Sequence, residues 1–114
     1  MKIKKYSFGK MEINGKMYEN DLIVFPDKIK SNWWRKKGHK LLIEDLDEVI
    51  EFNPEILIIG KGASGQMAVP VQTKRLLKQK GIEIKVMKTN QAYKKFNELI
   101  EKDNKVVGAF HLTC

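Results

Sequence analysis

Cysteine is nearly absent from this sequence. Cys114 is the single example, so no internal disulfide can form and nothing points to an oxidising compartment. No apolar run approaches the roughly 18 residues needed to cross a membrane, and segment 1–10 alternates lysine with apolar residues, unlike a signal peptide. We therefore expect a cytoplasmic protein with no export signal and no membrane anchor.

Metal-ligating and nucleophilic residues are equally scarce. The two histidines, His39 and His111, have no Cys, Asp or Glu at metal-ligand spacing, so the sequence predicts no metal site. Cys114 follows His111 by three residues, which on a strand would put the two side chains on opposite faces. Ser64 does not sit in a G-x-S-x-G nucleophile pattern. We accordingly predict no catalytic residue and no cofactor.

What the chain does have is an ordinary globular composition and a strong positive charge. Its 114 residues are 42% hydrophobic and 32% charged, which predicts a single domain over 1–114. The net charge is +8, and the first forty residues hold eleven basic residues against four acidic ones. Such asymmetry favours an acidic partner, which could be a nucleic acid, an anionic ligand or an acidic protein surface.

Short strands dominate the first 35 residues. Apolar residues alternate with polar ones around Asn14-Gly15, the dipeptide most typical of a tight hairpin, so we expect an antiparallel meander. Leu22–Phe25 is predicted to be a strand that Pro26 ends, and Ile29–Trp34 a further strand. Exposed strand edges in this region would also allow self-association into a homo-oligomer.

Helices and strands alternate in the rest of the chain. Helical spacing is found in 44–52, 70–80 and from Thr89, the expected N-cap of the last helix, to Ile100. Strands are predicted at Ile56–Ile59, at 82–86 and at 105–112. The fold class is therefore α/β, a layered single domain in which the meander precedes βαβ-type units, with β/β/α layers.

A glycine-rich loop follows the buried strand Ile56–Ile59. Its pattern is G-x-G-x-x-G, but the sequence lacks a ribose-binding acid and a second mononucleotide half, which disfavours a dinucleotide site. One interpretation is a sharp structural turn. The alternative is a cradle of backbone amides for a small anionic ligand. Its candidate residues are Gly60, Lys61, Gly62, Ser64, Gly65 and Gln66, with Thr89, Asn90 and Arg35.

Segment 33–40 mixes aromatic rings with cations. Stacking on bases and contact with phosphates would use such residues, although a solvated basic turn beside one core tryptophan has the same composition. No known RNA-binding or helix-turn-helix motif accompanies it, so nucleic-acid binding is the weaker interpretation. The candidates for a nucleic-acid or protein partner are Trp33, Trp34, Arg35, Lys36, Lys37 and His39.

Several motifs together resemble a known family. They are Trp34-Arg35 before Gly38-His39, the run 56–62, Thr89 before Ala92, Asn97, and the ending Val107-Gly108-Ala109-Phe110-His111-Leu112-Thr113-Cys114. The chain is similar to the adipogenesis-associated Mth-type domain family, which includes a mitochondrial assembly factor for respiratory complex I. The resemblance implies one α/β domain without established catalytic residues. It favours a non-enzymatic module that binds a protein partner, with the glycine loop as an alternative ligand site.

Overall fold

The computed structural model describes residues 1–102 and 105–114, and it confirms a layered α/β domain. Five strands come first: β1 (Ile3–Ser7), β2 (Lys10–Ile13), β3 (Lys16–Tyr18), β4 (Leu22–Val24) and β5 (Ile29–Lys30). A short 3₁₀ helix at Ile43–Leu46 leads into α1 (Asp47–Phe52). The chain continues with β6 (Ile56–Lys61), α2 (Val71–Gln79), β7 (Glu83–Met87), α3 (Thr89–Ile100) and β8 (Val106–His111).

The first three strands form the predicted antiparallel meander. Asn14 and Gly15 connect β2 to β3 with φ of 53° and 76°, and positive φ at both positions is what a type I′ turn requires. β1 pairs with β2 on its other side. The buried side chains of Ile3, Met11 and Ile13 attach this small sheet to the body of the protein.

The remaining strands form one mixed sheet in the order β5-β4-β8-β6-β7. β6, β7 and β8 run parallel, whereas β4 is antiparallel to β8. The strands are apolar on both faces because each face is covered. One face packs against α1 and α2 through residues such as Leu57 and Val107, and the other packs against α3 and the small sheet through residues such as Ile58 and Phe110.

Two local predictions were wrong. The strand predicted for Ile29–Trp34 ends at Lys30, because Asn32 takes a left-handed conformation with φ of 52° and turns the chain so that Trp33 enters the core. Thr89 is not the N-cap of α3, since Lys88 holds that position and the Thr89 hydroxyl bonds elsewhere. Within the described residues, no helix is long and apolar enough to cross a membrane.

Candidate functional site

The carboxyl ends of the three parallel strands bring the predicted site residues to one edge of the sheet. Register pairs Gly60 of β6 with Met87 of β7, and Lys61 of β6 with His111 of β8. Thr89 follows β7 directly. Ligands of open α/β sheets gather at this edge.

The glycine loop is filled by the chain itself. The amide of Ala63 donates to the carbonyl of Thr113 at 2.6 Å, and the amide of Gln66 donates to the carbonyl of Cys114 at 2.9 Å. Gly62 N–H donates to Thr89 Oγ1 at 2.8 Å. An anion bound at these amides would have to displace the C-terminal segment, so the loop amides serve to hold residues 111–114 in place.

Gly62 shows how closely the two segments approach. Its φ is 101°, and a Cβ at this position would lie 2.3 Å from the carbonyl carbon of Cys114. The hydroxyl of Thr89 extends the contact, because it donates to the carbonyl of His111 at 2.6 Å while it accepts from Gly62. Of the other candidates here, Gly60 is buried and Lys61 and Gly65 are half-buried, whereas Ser64, Gln66 and Asn90 are exposed. The ligand-binding hypothesis for this loop stays a prediction.

A different cluster of polar groups lies at the end of β8. The Nδ1 of His111 lies 2.7 Å from Oδ2 of Asp21, and the amide of Leu112 donates to Oδ1 of Asp21 at 2.7 Å. Arg35 completes the cluster with Nη1 2.7 Å from the same Oδ2 of Asp21 and Nη2 3.0 Å from His111 Nδ1. The side chains of His111 and Arg35 are only 6% and 5% exposed.

Arg35 is held in place from three directions. Its Nε and Nη2 donate to the carbonyl of Gly38 at 3.2 and 2.9 Å, and its guanidinium lies 5.0 Å from the centre of the Trp33 ring. Nη1 of Arg35 and the carboxylate of Asp21 form an ion pair, but their relative orientation does not meet the geometry of a hydrogen bond. Arg35 thus carries a buried charge that is balanced by Asp21.

The environment of Asp21 keeps its carboxylate charged. Burial works toward a higher pKa and is the largest single influence. The hydrogen bonds from His111 and Leu112, the positive charge of a protonated His111 and the contact with Arg35 together outweigh it and lower the pKa of Asp21. An ionised carboxylate can only accept hydrogen bonds, so the short contact requires His111 Nδ1 to carry the proton. With the proton on Nδ1, a neutral imidazole has its free lone pair on Nε2.

His111 Nε2 is buried and has no hydrogen-bond partner among the residues that the structure describes. His111 lines a cleft of about 270 Å³ together with Asp21 and Arg35. The ring of His39 stands edge-on to the ring of His111, with 5.8 Å between the two ring centroids. Trp34, 70% exposed, forms part of the rim. We call this the histidine cleft; its remaining lining residues are Glu19, Asn20, Gly38 and Thr113.

The structure divides the basic segment 33–40 between different environments. Trp33 is buried and donates from Nε1 to the carbonyl of Asp45 at 3.0 Å, so its ring is unavailable for stacking on a base. Lys36 is exposed, with its amide bound to Asp45 and its ammonium 3.8 Å from Glu44. Lys37 is exposed. Of this segment, Trp34, Arg35, Gly38 and His39 line the histidine cleft.

Sequence reasoning missed Asp21 as a site residue because it lies 90 positions before His111. The signal was the antiparallel pairing of β4 with β8. Leu22 stands opposite Phe110, and this register brings the preceding Asp21 next to the following His111. No group of three or more His, Cys, Asp or Glu side chains within 1–102 and 105–114 could hold a metal ion.

Comparison with known proteins identifies the family. Residues 3–111 match a family model described as protein of unknown function (DUF498/DUF598). The chain belongs to this family. A conserved hypothetical protein from Pyrococcus horikoshii is 26% identical with a TM-score of 0.84, and each chain is covered over 100% of its length.

Two further structures support the Mth-type resemblance. MT938 is 27% identical with a TM-score of 0.82, and the match covers 99% of this chain and 98% of that one. A Bordetella pertussis protein described as an Mth938-like domain is 20% identical with a TM-score of 0.77, covering 97% and 85% of the two chains. At that identity the last match supports the fold alone. The Mth-type α/β fold predicted from the sequence is confirmed.

Proposed function

We propose that the histidine cleft binds a small polar molecule that donates a hydrogen bond to Nε2 of His111. The observation that carries the proposal is this buried nitrogen, which has no hydrogen-bond partner in the described part of the chain. Leaving such a group unsatisfied costs about 1–3 kcal/mol, and a bound ligand that fills the cleft would recover this cost.

The pairing of Asp21 with His111 suits acid–base work as well as binding. The carboxylate fixes the ring and its tautomer, and it would stabilise the imidazolium formed if Nε2 took a proton from the ligand. The cleft volume of about 270 Å³ suits a small metabolite.

Charge around the cleft favours a neutral ligand over an anion. Asp21 and Glu19 line it along with Arg35, whose charge is already balanced by Asp21. A hydroxyl or N–H group is the donor that Nε2 would accept, and the exposed Trp34 ring offers an apolar surface beside it.

The test is a thermal-shift screen with polyols, nucleosides, amides, organic acids and phosphorylated metabolites, run on the wild type and on His111→Asn. The asparagine amide keeps a donor toward Asp21 but removes Nε2. A compound that raises the melting temperature of the wild type and not that of His111→Asn supports the proposal. A screen without a hit, or hits that are equal for both proteins, overturns it.

Binding of a protein partner, the function that the family resemblance favours, stays a prediction alongside this proposal. The same applies to the link with the complex I assembly factor, to the cytoplasmic location and to nucleic-acid binding through 33–40. A protein-partner function has its own support at a separate surface, the open edge of the mixed sheet.

A further inference from the structure

A groove runs along the β7 edge of the mixed sheet. Between α2 and β7 it has a volume of about 720 Å³, and it shares no lining residue with the histidine cleft. We call it the edge groove; its lining residues are Val71, Lys74, Arg75, Lys78, Gly81, Ile82, Glu83 and Ile84.

β7 offers unpaired backbone groups to this groove. It is the last strand of its sheet, with β6 as its partner on one side only. The amide of Glu83 donates to the carbonyl of Glu55 at 3.0 Å, so residue 83 directs its backbone groups toward β6. Because these groups alternate along a strand, those of Ile84 and Val86 point outward, where an added strand could bond to them.

Apolar side chains lie beside this open edge. Val71 at the start of α2 is 68% exposed, and Ile84 and Val86 are half-buried although they pack against the core. An added strand would cover all three. Backbone pairing combined with pockets for alternate side chains is how extended peptides bind sheet edges.

The charge of the groove selects its occupant. Lys74, Arg75 and Lys78 project from α2, and none of them forms an ion pair within the described residues. The single acid of the lining, Glu83, is paired with Lys85 at 3.0 Å. A second copy that paired β7 with β7 would bring two such cationic helices together, and like charges oppose that arrangement.

We propose that the edge groove binds an extended acidic segment of a partner protein, which adds as a strand to β7. Its outward amides and carbonyls pair with Ile84 and Val86. On the face of the segment that is turned toward α2, apolar residues cover Val71 and Ile84 and carboxylates meet the cations of α2.

The probe is a short capped peptide with threonine at every second position and with valine and glutamate in turn at the positions between, so that valine and glutamate share the face turned toward α2. We expect binding that weakens as salt rises, and a loss of about tenfold in affinity for Lys74→Glu with Lys78→Glu. The matched control is Lys5→Glu with Lys10→Glu, which changes the net charge equally at exposed positions of the small sheet. Equal losses in the two double variants, or no binding to the wild type, overturn the proposal.

Amide hydrogen exchange tests the strand pairing without any substitution. In the free protein the amides of Ile84 and Val86 should exchange faster than that of Lys85, which faces β6. The peptide should slow amide exchange at Ile84 and Val86. A peptide that is N-methylated on the amides that would face β7 should not slow it. Protection at 84 and 86 in the free protein at high concentration would instead indicate a second copy at this edge, which overturns the assignment to an acidic partner.

Discussion

Two neighbouring regions lie at the end of the sheet, and only one of them has a recognisable sequence motif. The glycine loop 60–66 has the sequence pattern of a ligand site, yet its amides bind the carbonyls of Thr113 and Cys114. The histidine cleft has no sequence motif, yet it is lined by His111, whose buried Nε2 has no hydrogen-bond partner within 1–102 and 105–114. The comparison teaches that a glycine pattern reports close backbone approach, whatever the approaching group is.

Substitution of Gly62 in the glycine loop should destabilise the protein most. Gly62→Ala should lower the free energy of unfolding by about 3–5 kcal/mol, because the methyl group meets the Cys114 carbonyl at a left-handed position. Gly81→Ala is the matched control, since Gly81 has a similar φ of 78° and no atom within 4 Å of the added Cβ. Denaturant unfolding measures both variants. Equal losses would mean that the C-terminal segment does not occupy the loop.

The next effect sharpens the description of the cleft. Asp21→Asn should cost about 2–4 kcal/mol, because it leaves the buried Arg35 without its counter-charge. Asp27→Asn, at an exposed position, is the control and should change little. Urea unfolding at neutral pH distinguishes the two variants. Comparable losses of stability would mean that the ion pair between Asp21 and Arg35 does not stabilise the fold.

Acidification tests the same carboxylate. The pKa of Asp21 is lowered in the folded protein, so its contribution to stability is complete above the ordinary value of 3.8 and is lost as pH falls through the folded value. As pH falls below 3.8, the free energy of unfolding of the wild type should therefore decrease more steeply than that of Asp21→Asn. Parallel curves for the two proteins would contradict the assigned shift.

A smaller effect separates the two roles of Thr89. Thr89→Val removes the hydroxyl that links Gly62 to the carbonyl of His111, and it should cost about 2 kcal/mol because both groups are buried. Thr89→Ser keeps the hydroxyl and should retain more of the stability. Thermal unfolding compares the pair, and a serine variant as unstable as the valine variant would argue against the hydroxyl bridge.

Local sequence signals predicted most of the fold. Asn14-Gly15 identified the hairpin, and the apolar run 56–59 identified a strand that is covered on both faces. Prediction failed where long-range contacts decide the local conformation. Asn32 ends the predicted strand because Trp33 has to enter the core, and Thr89 leaves its capping role for a bond to a residue 27 positions earlier.

The candidate site was predicted only in part. Arg35 and His39 were candidates, but no sequence pattern joins them to His111, since their contact depends on how the loop after β5 packs. The position of Asp21 beside His111 depends on the register of β4 against β8. Such pairings across the whole chain are not encoded in any short motif.

The position of the proton on the His111 ring decides whether Nε2 can accept a hydrogen bond from a ligand. Nitrogen-15 chemical shifts of the imidazole, measured where the ring is neutral, report which nitrogen carries the proton. We predict a protonated Nδ1 bonded to Asp21 and an Nε2 that carries no proton. A proton on Nε2 would mean that Nδ1 accepts from Arg35, and it would contradict the assignment of His111 as the hydrogen-bond acceptor for a ligand.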